Sequence, residues 1–399
     1  MLVYGYNLIL EQNESVVSLP LFWRKILIYI IGGVFMEKII IVPWEDDELT
    51  HEFFVPEYIE KMALDVLEHY AFSVQNMQVV TTKPDKGGSI WKLETSSGPK
   101  SLKLLHRRPT RSMFSLGAQE YLVNVKEARV PPIVKTKDGN NYVEAGEKLW
   151  FVAEWIESLA PVTKDLEGAK HLCNALGEFH LLSKGYVPPK QAEVASRLYK
   201  WPATYEKVIN KMDWFRNIAN AYEEMPASPY LLNVLNEFEE QSKRSLEKLN
   251  ESSYLELVQQ GNEYWGLVHQ DYGWSNGQMG SNGMWIIDLD GVAYDLPIRD
   301  LRKLITGTMA DLYRWDATWV REMIQSYHEA NPISSQLYDI LMIDLSAPNE
   351  FYKNVKEVVY EPELFLTDQT TTMIQTIVDT DQTKWPVLEE IKDDWKGIE

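Results

Sequence analysis

Three side chains in one short polar stretch carry the clearest chemistry in the sequence. Asp271 follows His269 and Gln270, Asn276 stands five residues beyond it, and Asp288 closes the apolar run Trp285-Ile286-Ile287. Phosphoryl transfer asks a protein for positioning and charge neutralisation more than for covalent help. One carboxylate must accept or orient the proton of the attacking hydroxyl, a part that suits Asp271. A second carboxylate and an amide must hold Mg²⁺ against the phosphates of ATP. Magnesium takes hard oxygen ligands and few protein carboxylates, and Asn276 with Asp288 is such a set. The same Asp-x4-Asn spacing, followed by a strand and a metal-binding Asp, marks the catalytic loop of protein kinases. The bland alternative is a polar β-turn capped by Asp271 and Asn276, with Asp288 as a turn residue.

Upstream residues of the right type stand in the right order. Lys103 lies mid-strand in Leu102-Lys103-Leu104-Leu105, and Glu120 follows seventeen residues later on a helix. A Lys103–Glu120 ion pair would fix the ammonium on the nucleotide's α- and β-phosphates. Gly87-Gly88-Ser89, between two strands, would let backbone N–H groups approach phosphate closely. Taken singly, each has an ordinary reading: a solvated strand lysine and a hairpin turn.

The elements that must position these groups follow from periodicity and turn chemistry. Residues 56–70 carry a helical apolar stripe through Ile59, Met62, Ala63, Val66, Leu67 and Tyr70. Gln78–Lys83, Ile90–Thr95 and Ser101–His106 read as a strand meander, broken at Pro84–Gly88 and Ser96–Pro99. A helix over Ser112–Val125 follows, then two strands flanking the turn Lys137–Asn141, the second running from Leu149 to Ile156. From about residue 163 the pattern is helical, with breaks at Pro202 and Pro226–Pro229 and one hairpin, Gly266–His269 with Met284–Asp288. The expectation is an α+β chain. A small antiparallel N-lobe over 36–155 binds nucleotide, and a helical C-lobe over 156–399 holds the catalytic hairpin and the acceptor.

Whole-chain properties set bounds. With 399 residues, 45% of them apolar, the chain can fill two coupled lobes. Its net charge of −20 argues against nucleic acid, which calls for clustered Lys and Arg, and is compatible with a cationic substrate. The one cysteine, Cys173, allows no intrachain disulfide and fits a reducing compartment. The run Ile26–Phe35 is too short to span a bilayer, and residues 1–35 are set apart from the fold as a possible upstream extension. No P-loop and no zinc-protease helix motif occurs. An Asp288-x-Asp290 metal pair of a glycosyltransferase would need parallel strands upstream, which the meander contradicts.

The runs His269-Gln270-Asp271-Tyr272 to Asn276, Ile287-Asp288-Leu289-Asp290 and Asp295-Leu296 to Asp300-Leu301 resemble the aminoglycoside phosphotransferase and choline kinase superfamily. Within it, Trp155-Ile156-Glu157, Tyr186-Val187-Pro188-Pro189, Trp201-Pro202 and Asp295-Leu296-Pro297-Ile298-Arg299-Asp300-Leu301-Arg302-Lys303 resemble the CotS family of bacterial spore coat proteins, which includes spore coat protein I. The resemblance spans roughly residues 55–360. It implies a bilobal protein-kinase-like fold, with Asp271 as catalytic base and Asn276 and Asp288 on Mg²⁺. Lys103, held by Glu120, would bind the phosphates of ATP, and backbone groups of Glu154 and Ile156 would meet adenine. Asp300 would brace the loop, and His180 would be structural. A small-molecule acceptor, spore coat localisation after cytoplasmic synthesis, and other coat proteins as partners follow from the same resemblance. The variable helices over 190–258 and beyond 310, with Trp201, Trp214, Phe215, Trp315 and Trp319, would build the acceptor pocket. Two departures, Gln270 where the superfamily has Gly and a short turn with adjacent glycines, keep a second reading alive: a coat protein with a kinase fold and no turnover.

Overall fold

The computed structural model describes residues 8–11, 14–17, 26–31, 34–44 and 53–396. Four strands, β1 (Leu8–Glu11), β2 (Glu14–Val17), β3 (Ile26–Ile31) and β4 (Val34–Ile39), pair antiparallel in chain order. The apolar run Ile26–Phe35 therefore forms most of a hairpin. Among the described residues, no helix is long and apolar enough to cross a membrane.

Contacts divide the chain into two units. The first takes residues 1–125, 130–158 and 188–194. It contains α1 (Glu57–Leu67), β5 (Val74–Lys83), β6 (Gly88–Thr95), β7 (Lys100–Leu104), α2 (Pro109–Asn124), β8 (Ile133–Val134), β9 (Val143–Ala145) and β10 (Lys148–Glu154). The sheet order is β5-β6-β7-β10-β8, with β9 also on β10. Alternation along these strands makes two cores. Leu93, Leu102, Leu104, Trp150 and Val152 pack with the Ile59/Ala63/Val66 stripe of α1, and Trp91 stacks on Trp150 at 5.7 Å. The opposite face joins Leu105, Leu149, Phe151 and Ala153 to Leu116 of α2. The strands expected to flank Lys137–Asn141 are the short β8 and β9. A second hairpin then turns on Gly146 and Glu147, both with positive φ (62° and 60°), as a two-residue type I′ turn requires. Glutamate is an unusual residue at a positive φ, which hides that turn from a reading by residue type.

The second unit takes residues 126–129, 159–187 and 195–399. After β11 (Ala160–Pro161) come α3 (Leu166–Ser183), α4 (Trp201–Ala221), α5 (Ser228–Glu251) and the short α6 (Tyr254–Val258) and α7 (Asn262–Trp265). Pro202 and Pro229 sit in the first turns of α4 and α5, so they start helices rather than break them. Next come β12 (Leu267–Val268), β13 (Gly277–Gly280), β14 (Gly283–Ile286), β15 (Ala293–Tyr294) and α8 (Ile298–Asp311). The rest is α9 (Ala317–Ala330), α10 (Ser335–Ser346), α11 (Asn349–Val355), α12 (Pro362–Phe365), α13 (Asp368–Gln382) and α14 (Lys384–Ile391). Asp165 caps α3 by accepting from the Gly168 N–H at 2.8 Å. The expected single hairpin is two small sheets: β12 pairs with β15, while β13 pairs with β14 and β11. His269 thus leaves one ladder and Asp288 leaves another.

Candidate active site

The loop from His269 to Asn276 is held by hydrogen bonds that reach far along the chain. Asp300, 1% exposed on the first turn of α8, accepts from the backbone N–H of His269 and, at 3.0 Å, from that of Gln270. His180 on α3 donates through Nε2 to the same carboxylate at 3.3 Å. A relay stands behind it: Asn331 donates to the Tyr327 hydroxyl at 2.8 Å, and that hydroxyl donates to His180 Nδ1 at 2.7 Å. Burial keeps His180 below its ordinary pKa, so it meets Asp300 as a neutral donor. Burial alone would raise Asp300, but the bond from His180 and the charge of Lys303 hold it down at about 2. The expected bracing role of Asp300 and structural role of His180 have this geometry behind them.

His269 is fully buried and links the two ladders. The Asp271 N–H donates to its Nδ1 at 3.3 Å, which leaves Nε2 to donate to the Ile287 carbonyl at 2.9 Å, one residue before Asp288. Asn276 donates through Nδ2 to the Asp271 carbonyl at 2.7 Å, and the Ile287 N–H returns to the Asn276 carbonyl at 3.0 Å. Gly277 lets this turn pack closely: a Cβ there would lie 2.4 Å from Leu172 Cδ2 and 2.7 Å from the Tyr272 hydroxyl. Asp271, Asn276 and Asp288 are therefore brought onto one hydrogen-bonded frame. The Asp271 carboxylate is exposed and makes no bond among the described residues. Asn276 Oδ1 is turned away from the amide's own bond.

That donor set suits magnesium. One amide oxygen and one carboxylate is what a hard cation needs when nucleotide phosphates and water supply the remaining ligands. Among the described residues, no group of three or more His, Cys, Asp or Glu could hold a metal by itself.

Gln270, the residue standing where glycine was expected, has φ of 72°, a left-handed conformation that disfavours side chains. Its side chain compensates. Nε2 donates to the Gly291 carbonyl, and Arg197 donates to Oε1. Lys303 donates to its carbonyl from α8. The departure thus adds anchors to the loop. Gln270→Gly relieves roughly 1–2 kcal/mol of backbone strain while losing two bonds of about 1 kcal/mol each, so it should be nearly neutral. Gln270→Ala keeps the strain and loses the bonds, and should cost about 2 kcal/mol. Denaturant titration of both variants tests this, and an alanine no worse than glycine would refute it.

In the first unit the placement is mixed. Lys103 is 9% exposed and lies opposite Phe151 and Ile90, on the sheet face of Leu105, Leu149 and Ala153. Glu120, expected to hold it, accepts instead from Lys135 Nζ on one oxygen and Asn141 Nδ2 on the other. Burial would raise its pKa, but these two bonds bring it below the ordinary value. The side chain of Glu154 is bound by Lys100 at 2.9 and 3.0 Å, so only its backbone is left for a ligand. Its N–H donates to the Pro132 carbonyl at 2.9 Å, and Pro132 has no N–H to return, which leaves the Glu154 carbonyl without that ladder bond. Ile156 follows the strand in irregular, half-buried chain. The glycine turn departs most from expectation. Gly87 takes φ 65° against Ile41 and Val42, and a Cβ on Gly88 would lie 3.0 Å from His106 Cβ. The Ser89 hydroxyl donates to the Thr81 carbonyl at 3.1 Å. These residues pack the hairpin as well as bend it.

A cavity of about 630 Å³ in the second unit reaches Asp271. Of the aromatics expected around an acceptor, none lines it. Trp201 and Phe215 are buried in the core and Trp214 is exposed, whereas Trp274, three residues past Asp271, stands in the cavity wall. Arg197 and Trp274 were not singled out by sequence, since each is an isolated residue without a motif, and Lys303 stood only as the end of the run from Asp295, with no role attached.

Comparison with known proteins adds kinship to this geometry. A family model described as "Spore coat putative kinase YutH" matches residues 109–391. Spore coat protein S of Bacillus subtilis (strain 168) is 25% identical over 343 residues, covering 86% of this chain and 97% of that protein. An aminoglycoside phosphotransferase structure from Alicyclobacillus acidocaldarius superposes with a TM-score of 0.69 at 15% identity, covering 88% of this chain and 99% of that one. Amicoumacin kinase hAmiN, solved with AMP-PNP, Ca²⁺ and Ami, gives 0.56 at 15% identity, with 85% and 97% covered. The two structures share the fold with this chain.

Proposed function

This chain belongs to the spore coat kinase family of that model, and from that premise we propose that it moves the γ-phosphoryl group of ATP, with Mg²⁺, to a hydroxyl of a small-molecule acceptor. The observation that carries the proposal is the frame of the loop: Asp300 and His269 fix its backbone, while the Asp271 carboxylate stays uncommitted beside a cavity. The acceptor oxygen forms its bond to the γ-phosphorus as the β–γ bridging bond breaks. Its proton passes to Asp271, and ADP leaves with the bridging oxygen. Asn276 Oδ1 and Asp288 would hold the magnesium, which when bound neutralises charge on the phosphates. Lys103 binds the α- and β-phosphates. The Glu154 carbonyl and the Ile156 N–H meet adenine. Glu120 supports the sheet edge through Lys135 instead of fixing Lys103. Kinship with spore coat protein S supports a place in the spore coat, alongside other coat proteins.

The packed glycine turn favours a second reading, a coat protein that keeps the fold without turnover. Thermal unfolding separates the two. At about 100 times its dissociation constant, a ligand stabilises by roughly 2.7 kcal/mol, so ATP with Mg²⁺ should raise the midpoint by several degrees. Asp288→Asn should lose the magnesium-dependent part of that rise. No shift with any nucleotide would leave the scaffold reading standing.

A further inference from the structure

The cavity that reaches Asp271 has walls of the wrong sign for this protein. The chain carries a net charge of −20, yet Arg299, Arg302 and Lys303 from α8 line the cavity, with Lys353 and Lys356 at the α11 end. Only Asp271 and Glu350 oppose them in the lining, and Glu350 is already paired with Lys353 at 3.2 Å. The carboxylates that partner the α8 cations do not belong to the wall. Asp344, fully buried, is shared by Arg299 at 3.0 and 3.1 Å and Arg302 Nε at 2.9 Å, and also accepts from the Tyr205 hydroxyl at 2.6 Å. Asp295 acts on Arg299 and Asp300 on Lys303 in the same way, both buried behind the wall, so the cations and not their counter-charges face the cavity, and Arg302 makes no other bond to the protein among the described residues.

Independent of charge, two polar groups in the same wall are unmatched. Trp274 Nε1 and Thr308 Oγ1 are buried and have no hydrogen-bond partner, and Thr308 is only 3% exposed. Buried donors are almost always satisfied in folded proteins, by protein, water or ligand. An indole N–H can only donate, so the partner it lacks is an acceptor, and a hydroxyl can donate to the same group. Cations at the surface and unmet donors in one wall call for the same chemistry: an oxyanion.

We propose that the acceptor carries its own anionic group, a carboxylate or a phosphate, besides the hydroxyl presented to Asp271, and that Arg302, Lys303, Thr308 and Trp274 receive it. This rests on the phosphotransferase reading for the hydroxyl, though not for the anion. The transfer step is unchanged: only the acceptor's charge is specified. It also replaces the expectation of a cationic acceptor, which rested on total charge, with one based on the charge of the wall itself.

The test has two arms. In the first, calorimetry at fixed ionic strength with AMP-PNP and Mg²⁺ present compares D-gluconate, glycerol 3-phosphate, D-glucose and D-glucosamine. At least one of the two anions should bind tenfold or more tighter than both other sugars, and which one does so distinguishes carboxylate from phosphate. The rim variant Lys353→Gln/Lys356→Gln, whose exposed side chains make it safe for folding, should narrow that preference several-fold and leave nucleotide binding unchanged. The second arm needs neither an acceptor nor a working nucleotide site. The fluorescence lost in Trp274→Phe should be quenched more by iodide than by caesium. A preference for glucosamine or glucose, no preference at all, or caesium-selective quenching of Trp274 would overturn the proposal. Absent nucleotide binding with iodide-selective quenching retained would instead strike at the phosphotransferase reading alone.

Discussion

Asp271→Asn should lose phosphoryl transfer by about 10²–10⁴-fold, the usual contribution of a positioned proton acceptor, while its melting temperature stays within a degree or so of the parent's. The two halves of that expectation have separate causes. The carboxylate is exposed and bonds to no other group among the described residues, so removing its charge costs the fold almost nothing. What holds Asn276 is the backbone carbonyl of Asp271, which the substitution keeps. Nucleotide binding should survive for the same reason. The measurement is ADP release with whichever acceptor supports turnover, beside a melting curve with and without ATP and Mg²⁺. If the variant retains parental turnover, Asp271 is not the base. If the parent has none and the variant fully replaces it in spores, the coat role needs no catalysis.

Legibility from sequence was uneven for physical reasons. Asp271, Asn276 and Asp288 were visible because their order reflects a short loop whose geometry is set locally. Lys103 was visible only through its order relative to that loop, since strand alternation by itself reads it as a solvated lysine. Glu120 misled, because a helix and a strand seventeen residues apart do not specify which lysine the carboxylate meets, and Lys135 lies on a different segment. By pattern Leu267–Val268 reads as one half of a hairpin with Met284–Asp288, whereas its partner is Ala293–Tyr294. Two-residue ladders carry too little pattern to reveal such a pairing. The basic wall was illegible for a plainer reason. Arg299, Arg302, Lys303 and Thr308 lie on one helix, but Lys353, Lys356 and Trp274 join them only through tertiary packing, and net charge averages over the distinction between wall and surface.

Asp300→Asn should cost the folded state about 3–5 kcal/mol, the range for breaking a buried charged network by removing one partner. Parent Asp300 accepts from two backbone N–H groups and from His180 with no exposure to water. Asparagine offers one acceptor oxygen and turns an NH₂ toward donors, leaving at least one of them buried without a partner. In a chain of 399 residues a loss of that size lowers the melting temperature by roughly 4–6 °C. Because the freed donors belong to His269 and Gln270, Asp271 should lose its placement too, and turnover should fall together with stability. Acid gives an independent check. Asp300 is held at about 2 in the folded chain against an ordinary 3.8, so below pH 3.8 the unfolded chain binds a proton that the native state refuses. Its stabilisation, roughly 2 kcal/mol by that difference, is complete above pH 3.8 and disappears as the pH falls through 2. His180, depressed by burial, acts in the same direction, its contribution shrinking as the pH drops below its ordinary 6.5. The gap between parent and Asp300→Asn in denaturant titrations should therefore be wide at neutral pH and narrow below about pH 4. A gap that persists unchanged into acid would mean that the carboxylate's charge is not what holds the loop, and that its shape alone suffices.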